Sequence, residues 1–166
     1  MLSFADQTEK AEAAFNRALE IDPGCAPAIL HLARLRDRND DEDGALYLYR
    51  RAAALGELTD DATAHFARIL MRQDKEDEAE AVLRQALEDH SDRSEARHLL
   101  ASLLSGTGRA PEAIMLLRDV AEHGDDWMAW ADLGAFLSAE GKFAEARAAL
   151  DRSIATGADS PVIYRM

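Results

Sequence analysis

The chain has 166 residues, 48% hydrophobic and 31% charged, with only 9 Gly and 4 Pro. That composition suits one folded domain with a sizeable core and excludes disordered, collagen-like and linker-dominated chains. A formal charge of -13 argues against nonspecific attraction to phosphate backbones or anionic lipid, so nucleic acid and membrane surfaces are not expected partners.

Cys25 is the single cysteine and forms no intrachain disulfide, so the fold stands without staples. The start MLSFADQTEK carries no basic segment followed by an apolar run, and no stretch is long enough to span a bilayer. The expected compartment is therefore cytoplasmic.

In chain order, the apolar periodicity predicts a helix near 8 to 21, entered from the tail of an earlier helix in Met1 to Asp6. Hairpins follow, pairing 26 to 38 with 43 to 55, 60 to 73 with 76 to 89, 94 to 106 with 110 to 123, and 127 to 140 with 143 to 156. Pro27, Pro111 and Pro161 suit first turns, because proline fixes a helical φ where its missing N–H costs nothing. Short polar turns at Asn39 to Asp43, Asp74 to Asp77, Gly106 to Pro111 and Glu140 to Lys142 join the paired helices.

The chain repeats. Ala11, Ala45, Ala79 and Ala113 stand 34 residues apart, and Ala146 follows 33 residues later. Four residues beyond each comes Phe15, Tyr49, Leu83, Leu117 or Leu150, and three further on Ala18, Ala52, Ala86, Val120 or Ser153. This i, i+4, i+7 spacing is one buried face of a helix. The preceding helix of each hairpin carries a large residue followed by a small one: Leu32-Ala33, Phe66-Ala67, Leu100-Ala101 and Leu133-Gly134. The small residue lets the paired helix approach closely.

These residues resemble the tetratricopeptide repeat family, whose 34-residue repeat reads W-x2-L-G-x2-Y, then A-x3-F, then P. Trp130-Ala131-Asp132-Leu133-Gly134 with Gly141 and Ala146 carries the best match, and Ala11 to Phe15 running into Ala18 to Pro23 a second. The leading tryptophan place is held by Ile29, Thr63, Arg97 and Trp130, and the closing proline appears only as Pro23. The resemblance implies an all-α fold, a right-handed α-solenoid of antiparallel helix hairpins whose first helices line a concave groove. It divides one solenoid over 1–166 into a partial hairpin 1–25, repeats 26–59, 60–93, 94–126 and 127–160, and the start of a further helix at 161–166. It also implies a non-catalytic scaffold that binds a protein or peptide partner without a cofactor. Both ends lack an obvious polar cap, which offers a route to a homo-oligomer; a regulatory or chaperone arm of a larger protein is a further role the family fills.

The informative groove pattern is His31-x2-Arg34-x3-Arg38, repeated 34 residues later as His65-x2-Arg68-x3-Arg72. Spacing of i, i+3, i+7 puts each trio on one helical face. The four arginines, with His98 extending them, are expected to form a positive patch that accepts carboxylates through bidentate hydrogen bonds. Neighbouring acids such as Asp37, Asp40, Asp41, Asp61 or Glu95 are competing internal partners.

Other candidates carry less. His31, His65 and His98 are spread over three consecutive helices, too far apart to converge on one metal ion. Asp89-His90-Ser91-Asp92 holds triad residue types at a helix end, without mutual reach. Gly106-Thr107-Gly108 lacks the rest of a phosphate loop. Trp127 and Met128 at the start of the last hairpin are a candidate exposed contact, against which the favoured expectation is Trp130 in the core and Trp127 half-buried.

Overall fold

The computed structural model describes residues 4–89, 94–124 and 127–158, and among them all regular structure is helical. Residues 161–166, Pro161 included, and 90–93 lie outside the described residues. The chain divides into two compact units, Met1–Ala96 and Arg97–Met166.

The first unit holds α1 (Phe4–Ile21), α2 (Ala26–Arg38), α3 (Glu42–Ala54), α4 (Asp60–Arg72) and α5 (Glu76–Asp89). Here α2 packs on α3 and α4 on α5, with α1 against α2 and α3 against α4. α6 (Ser94–Gly106) crosses the boundary at residue 96, and α7 (Ala110–Gly124), α8 (Trp127–Ala139) and α9 (Phe143–Ala158) complete the second unit. There α8 packs on both α7 and α9.

Helix limits follow the sequence closely, with one correction. α1 runs unbroken from Phe4, so no separate helix tail precedes Thr8; nothing between Phe4 and Ala11 is a proline or glycine that would end a turn. Caps account for several starts. The Asp41 carboxylate accepts from the Gly44 N–H and the Thr59 hydroxyl from the Ala62 N–H, each satisfying an orphan amide of the first turn. Pro27 stands in the first turn of α2.

The hairpins share one backbone device. The N–H groups of Asp41, Lys75, Arg109 and Lys142 donate to the carbonyls of Arg36, Leu70, Leu104 and Leu137 at 2.7–2.9 Å. Each bond reaches back five residues over a residue in the left-handed region: Asp40 at φ 60°, Asp74 at 53°, Gly108 at 80° and Gly141 at 74°. This is the Schellman stop, in which a left-handed residue lets the chain turn back onto the end of its helix.

The buried stripe is the expected one. Ala45, Ala79, Ala113 and Ala146, then Tyr49, Leu83 and Leu117, are buried, as are Leu32-Ala33, Phe66-Ala67, Leu100-Ala101 and Leu133. At Gly134 the need for a small side chain is direct: a Cβ there would stand 2.7 Å from Leu150 Cγ and 3.3 Å from the Ala146 carbonyl oxygen. Phe15 is half-buried and Leu150 exposed. Trp130 is half-buried and not in the core: one side of it lines a cleft of about 220 Å³, and Arg152 lies over its ring at 5.6 Å.

Tyr49 stacks on Phe66 with ring centroids 5.7 Å apart. Its hydroxyl is buried without a protein hydrogen-bond partner. Burial first, and then the Asp37 and Asp61 carboxylates, push the phenol above its ordinary value of 10.0, with Arg34 pulling the other way.

Two outcomes follow for stability. Gly141→Ala places a Cβ at φ 74°, and the left-handed penalty less the entropic gain of alanine gives a loss of about 1 kcal/mol in urea denaturation; Asp74→Gly, at an already left-handed position, is not destabilising. Tyr49→Phe removes an unpaired buried hydroxyl and is expected to stabilise by about 1 kcal/mol at neutral pH. Wild-type stability falls as pH rises past 10.0, since the unfolded chain then releases a proton that folded Tyr49 retains; denaturation curves between neutral pH and about pH 11 should show a shallower fall for Tyr49→Phe.

Candidate functional site

Helices α2 and α4 each present a basic trio, and the register of the repeat lays acids between them. Arg34 Nη1 meets Asp61 Oδ2 at 2.9 Å. One repeat later Arg68 donates to Glu95 through the same offset of 27 residues. The bridge is therefore a repeated feature, basic residue on one first helix and acid on the next.

Between these bridges lies a denser network centred on Asp37, whose side chain is only 14% exposed. One carboxylate oxygen faces His65 Nδ1 at 3.2 Å and the other accepts from Arg72 Nη2 at 3.1 Å. Arg72 Nε also donates to Glu42 at 2.7 Å, and Gln73 donates to the second oxygen of Glu42 at 3.1 Å. Those Gln73 and Arg72 bonds hold the Glu42 carboxyl below the ordinary carboxylate value. The ring of His65 is thus flanked on both nitrogens, with Asp61 Oδ1 at 3.7 Å from Nε2. The Tyr49 hydroxyl lies beneath this face, within electrostatic reach of Arg34, Asp37 and Asp61.

The basic trios thus stand in a ladder of alternating charge, with the competing acids named from the sequence between them. The structure brings His65, Arg72 and Asp37 together and links Arg34 to Asp61, Arg68 to Glu95 and, with Nε2 2.9 Å from a carboxylate oxygen, His98 to Asp132 in the second unit. His31 instead stacks on Phe15, centroids 5.2 Å apart and planes 12° from parallel. Arg38 is exposed in the last turn of α2. Asp37, Asp61 and Glu95 act as the internal partners named from sequence, whereas Asp41 pairs with Arg36. Glu42 was missed; as the first residue of α3 it belongs to a different helix from the trios it closes.

Beside Arg34 the face opens into a cleft of about 430 Å³. Pro27, Leu30 and Ala62 give it apolar ground, and His31, Arg34, Glu57 and Asp61 stand around them. The arrangement can hold an extended chain by shape and exchangeable ion pairs. Among the described residues no three His, Cys, Asp or Glu side chains converge to hold a metal ion, and no helix is long and apolar enough to cross a membrane.

A second ion-pair series runs along the second helices of the hairpins. Arg50 donates to both oxygens of Glu78 at 2.7 Å, and in the second unit Arg118 donates to Glu145 at 2.8 Å. The Arg50 bonds hold Glu78 below the ordinary carboxylate value. Sequence reasoning missed this series, although Arg50, Arg84 and Arg118 stand 34 residues apart.

Comparison with known proteins agrees with the repeat. The tetratricopeptide repeat pattern matches residues 38–103 and again residues 2–25. No curated protein matches the chain. Among solved structures, MamA superposes with a TM-score of 0.69 at 15% identity, covering 95% of this chain and 96% of that one. YrrB, described as a repeat protein of this family with an unusual peptide-binding site, gives 0.64 at 22% identity, over 93% and 80% of the two chains. The Pseudomonas aeruginosa PilF structure gives 0.68 at 22% identity over 90% and 69%. At these identities the superpositions speak for the fold, an all-α solenoid of antiparallel helix hairpins. With the 34-residue register, the shared Schellman turns and the matched repeats, the chain belongs to the tetratricopeptide repeat family.

Proposed function

We propose that this protein is a non-catalytic scaffold that holds a peptide segment of a partner protein on the α2/α4 face, with the partner's carboxylates received by Arg34 and Arg68. The cleft beside Arg34 carries this reading, because it sets an apolar floor against a guanidinium in one place. YrrB supports it as a protein of the same fold described as having a peptide-binding site. In the sequence, the register of Ala45, Ala79 and Ala113 crosses residue 96 without a break.

The internal acids do not oppose such binding strongly. The side chains of Arg34 and Asp61 are 48% and 55% exposed, and those of Arg68 and Glu95 44% and 51%. Pairs this exposed contribute about 1 kcal/mol or less, so exchanging one carboxylate for another costs little. Net affinity then comes from apolar burial in the cleft, and the ion pairs set orientation and rate. Catalysis has no support here: the network is a set of satisfied ion pairs without a nucleophile next to a base.

A second reading, self-association, has its own observation. Phe143, Leu150 and Ile154 are exposed on α9 at i, i+7 and i+11, a single apolar stripe. A molar mass by light scattering that stays monomeric across a wide concentration range would set this reading aside.

For the scaffold, fluorescence anisotropy with an Asp/Glu-rich peptide carrying one leucine should show binding that weakens several-fold between low and about 0.5 M salt. Arg34→Ala combined with Arg68→Ala should weaken it several-fold and flatten its salt dependence, in line with the loss of two half-exposed pairs worth about 1 kcal/mol or less each. Equal binding by that double variant would overturn the assignment of these arginines.

A further inference from the structure

Apart from the α2/α4 face, the first unit carries a larger cleft, of about 700 Å³, where α3, α4 and α5 meet. Ala53, Thr63, Ala81, Val82 and Ala86 form its walls, with Gln85 at the edge. Its size is that of a small-molecule or side-chain pocket. Thr63 is 0% exposed, yet its hydroxyl oxygen has no protein hydrogen-bond partner. A buried, unpaired hydroxyl in a cleft wall is an uncompensated cost unless something reaches it.

The repeat explains why the cleft exists. Thr63 occupies the place held by Ile29, Arg97 and Trp130 in the other hairpins. The facing positions on the second helix are Ala81, Val82 and Gln85 here; they are Tyr47, Leu48 and Arg51 in the first hairpin, and Met115, Leu116 and Asp119 in the third. In the last hairpin they are Ala148, Ala149 and Arg152. There the second helix is also lined with alanine, but the first helix supplies Trp130, and the equivalent cleft measures about 220 Å³ with Arg152 over the indole. Every other hairpin places a large apolar or aromatic side chain, or an arginine, at one or more of these positions. The second places none there, and the large apolar side chain on its wall, Leu58, comes from the turn before α4.

We infer that the α3/α4/α5 cleft is a second partner site that receives an aromatic side chain, an indole foremost, from a basic segment of another protein. Trp130 is the guide to what these walls fit, since Ala81, Val82 and Gln85 correspond to Ala148, Ala149 and Arg152, which line a cleft together with Trp130 in the second unit, with Arg152 over its ring. The Thr63 oxygen is closed off from the cleft as it stands; rotation of its side chain toward the cleft lets it accept the indole N–H, which satisfies both groups at once. Glu57 and Asp89 also line the cleft, so a lysine or arginine flanking the aromatic residue meets opposite charge. Gln85 now donates to Asp89 at 3.1 Å; it stands where Arg152 covers Trp130 and can swing over an incoming ring in the same way.

The test uses the full chain, labelled with nitrogen-15, and the peptide acetyl-Lys-Trp-Lys-amide. Saturable amide shifts are expected at Thr63, Ala81, Val82 and Gln85, and acetyl-Lys-Ala-Lys-amide should produce none. Thr63→Trp fills the cleft from within, as Trp130 does in the last hairpin, and should abolish the shifts while raising the melting temperature. Ala81→Tyr copies Tyr47 at an exposed position, so the fold is retained, and should weaken binding at least tenfold. Arg34→Ala with Arg68→Ala should leave the shifts intact, which separates this site from the α2/α4 face. The inference is overturned by an absence of saturable shifts, by shifts that survive in both cleft-filling variants, or by shifts confined to the α2/α4 face. It is equally overturned if the cleft amides move on simple dilution of the protein, which would make a second copy the occupant.

Discussion

The helical hairpin depends on one backbone bond made at the same place in each turn. An amide returns to a carbonyl five residues back, across a residue held at positive φ. Because that residue recurs at Asp40, Asp74, Gly108 and Gly141, the start of each second helix is fixed relative to the end of the first. The alanine–large–small stripe then falls into register without further adjustment. Two of the four positions are aspartates, which tolerate the left-handed region at some cost. The first unit therefore carries backbone strain that the glycines of the second avoid.

That register also decides where charge lies. Once successive first helices are offset by one repeat, Arg34 and Arg68 face Asp61 and Glu95, and Asp37 falls between His65 and Arg72. A net charge of -13 makes such pairing inevitable, since every cation is outnumbered. A basic sequence motif in an acidic protein is therefore evidence of where an anion can be received, and not of a standing positive field. The half-exposed pairs are exchangeable, whereas Asp37, more deeply set and doubly bonded, is a structural hub. Replacing Asp37 would leave His65 and Arg72 without their shared acceptor beneath a face already carrying the unpaired Tyr49 hydroxyl.

Much of this was legible in the sequence. Helix limits, the buried stripe and the small residue at Gly134 all follow from periodicity, because burial on a 34-residue repeat is reported again and again by the same columns. The trios were legible as residues of one face, and Asp61 and Glu95 as candidate partners. What was not legible depends on contacts between helices that periodicity does not rank. Glu42 joins the network from the neighbouring second helix, and Trp130 lines a cleft with a single arginine over its ring. The charged series of Arg50 and Arg118 was not legible for the same reason: its spacing is regular, but its partners Glu78 and Glu145 come from the next second helix.

Departures from the repeat carry more information than its agreements. Where a column stays large or small, it reports the packing that every hairpin needs. Where it changes on one wall, the other wall can compensate: Trp130 is large on the cleft it lines with Ala148 and Ala149. Thr63 has no such compensation, for Ala81 and Val82 are small opposite it and its hydroxyl is buried unpaired. Lost packing and an unsatisfied polar atom both weigh against stability, so a hairpin selected for stability alone would fill this cleft. A scaffold whose partner inserts a side chain has a reason to leave it open, since the missing contacts are then made on binding and count toward affinity.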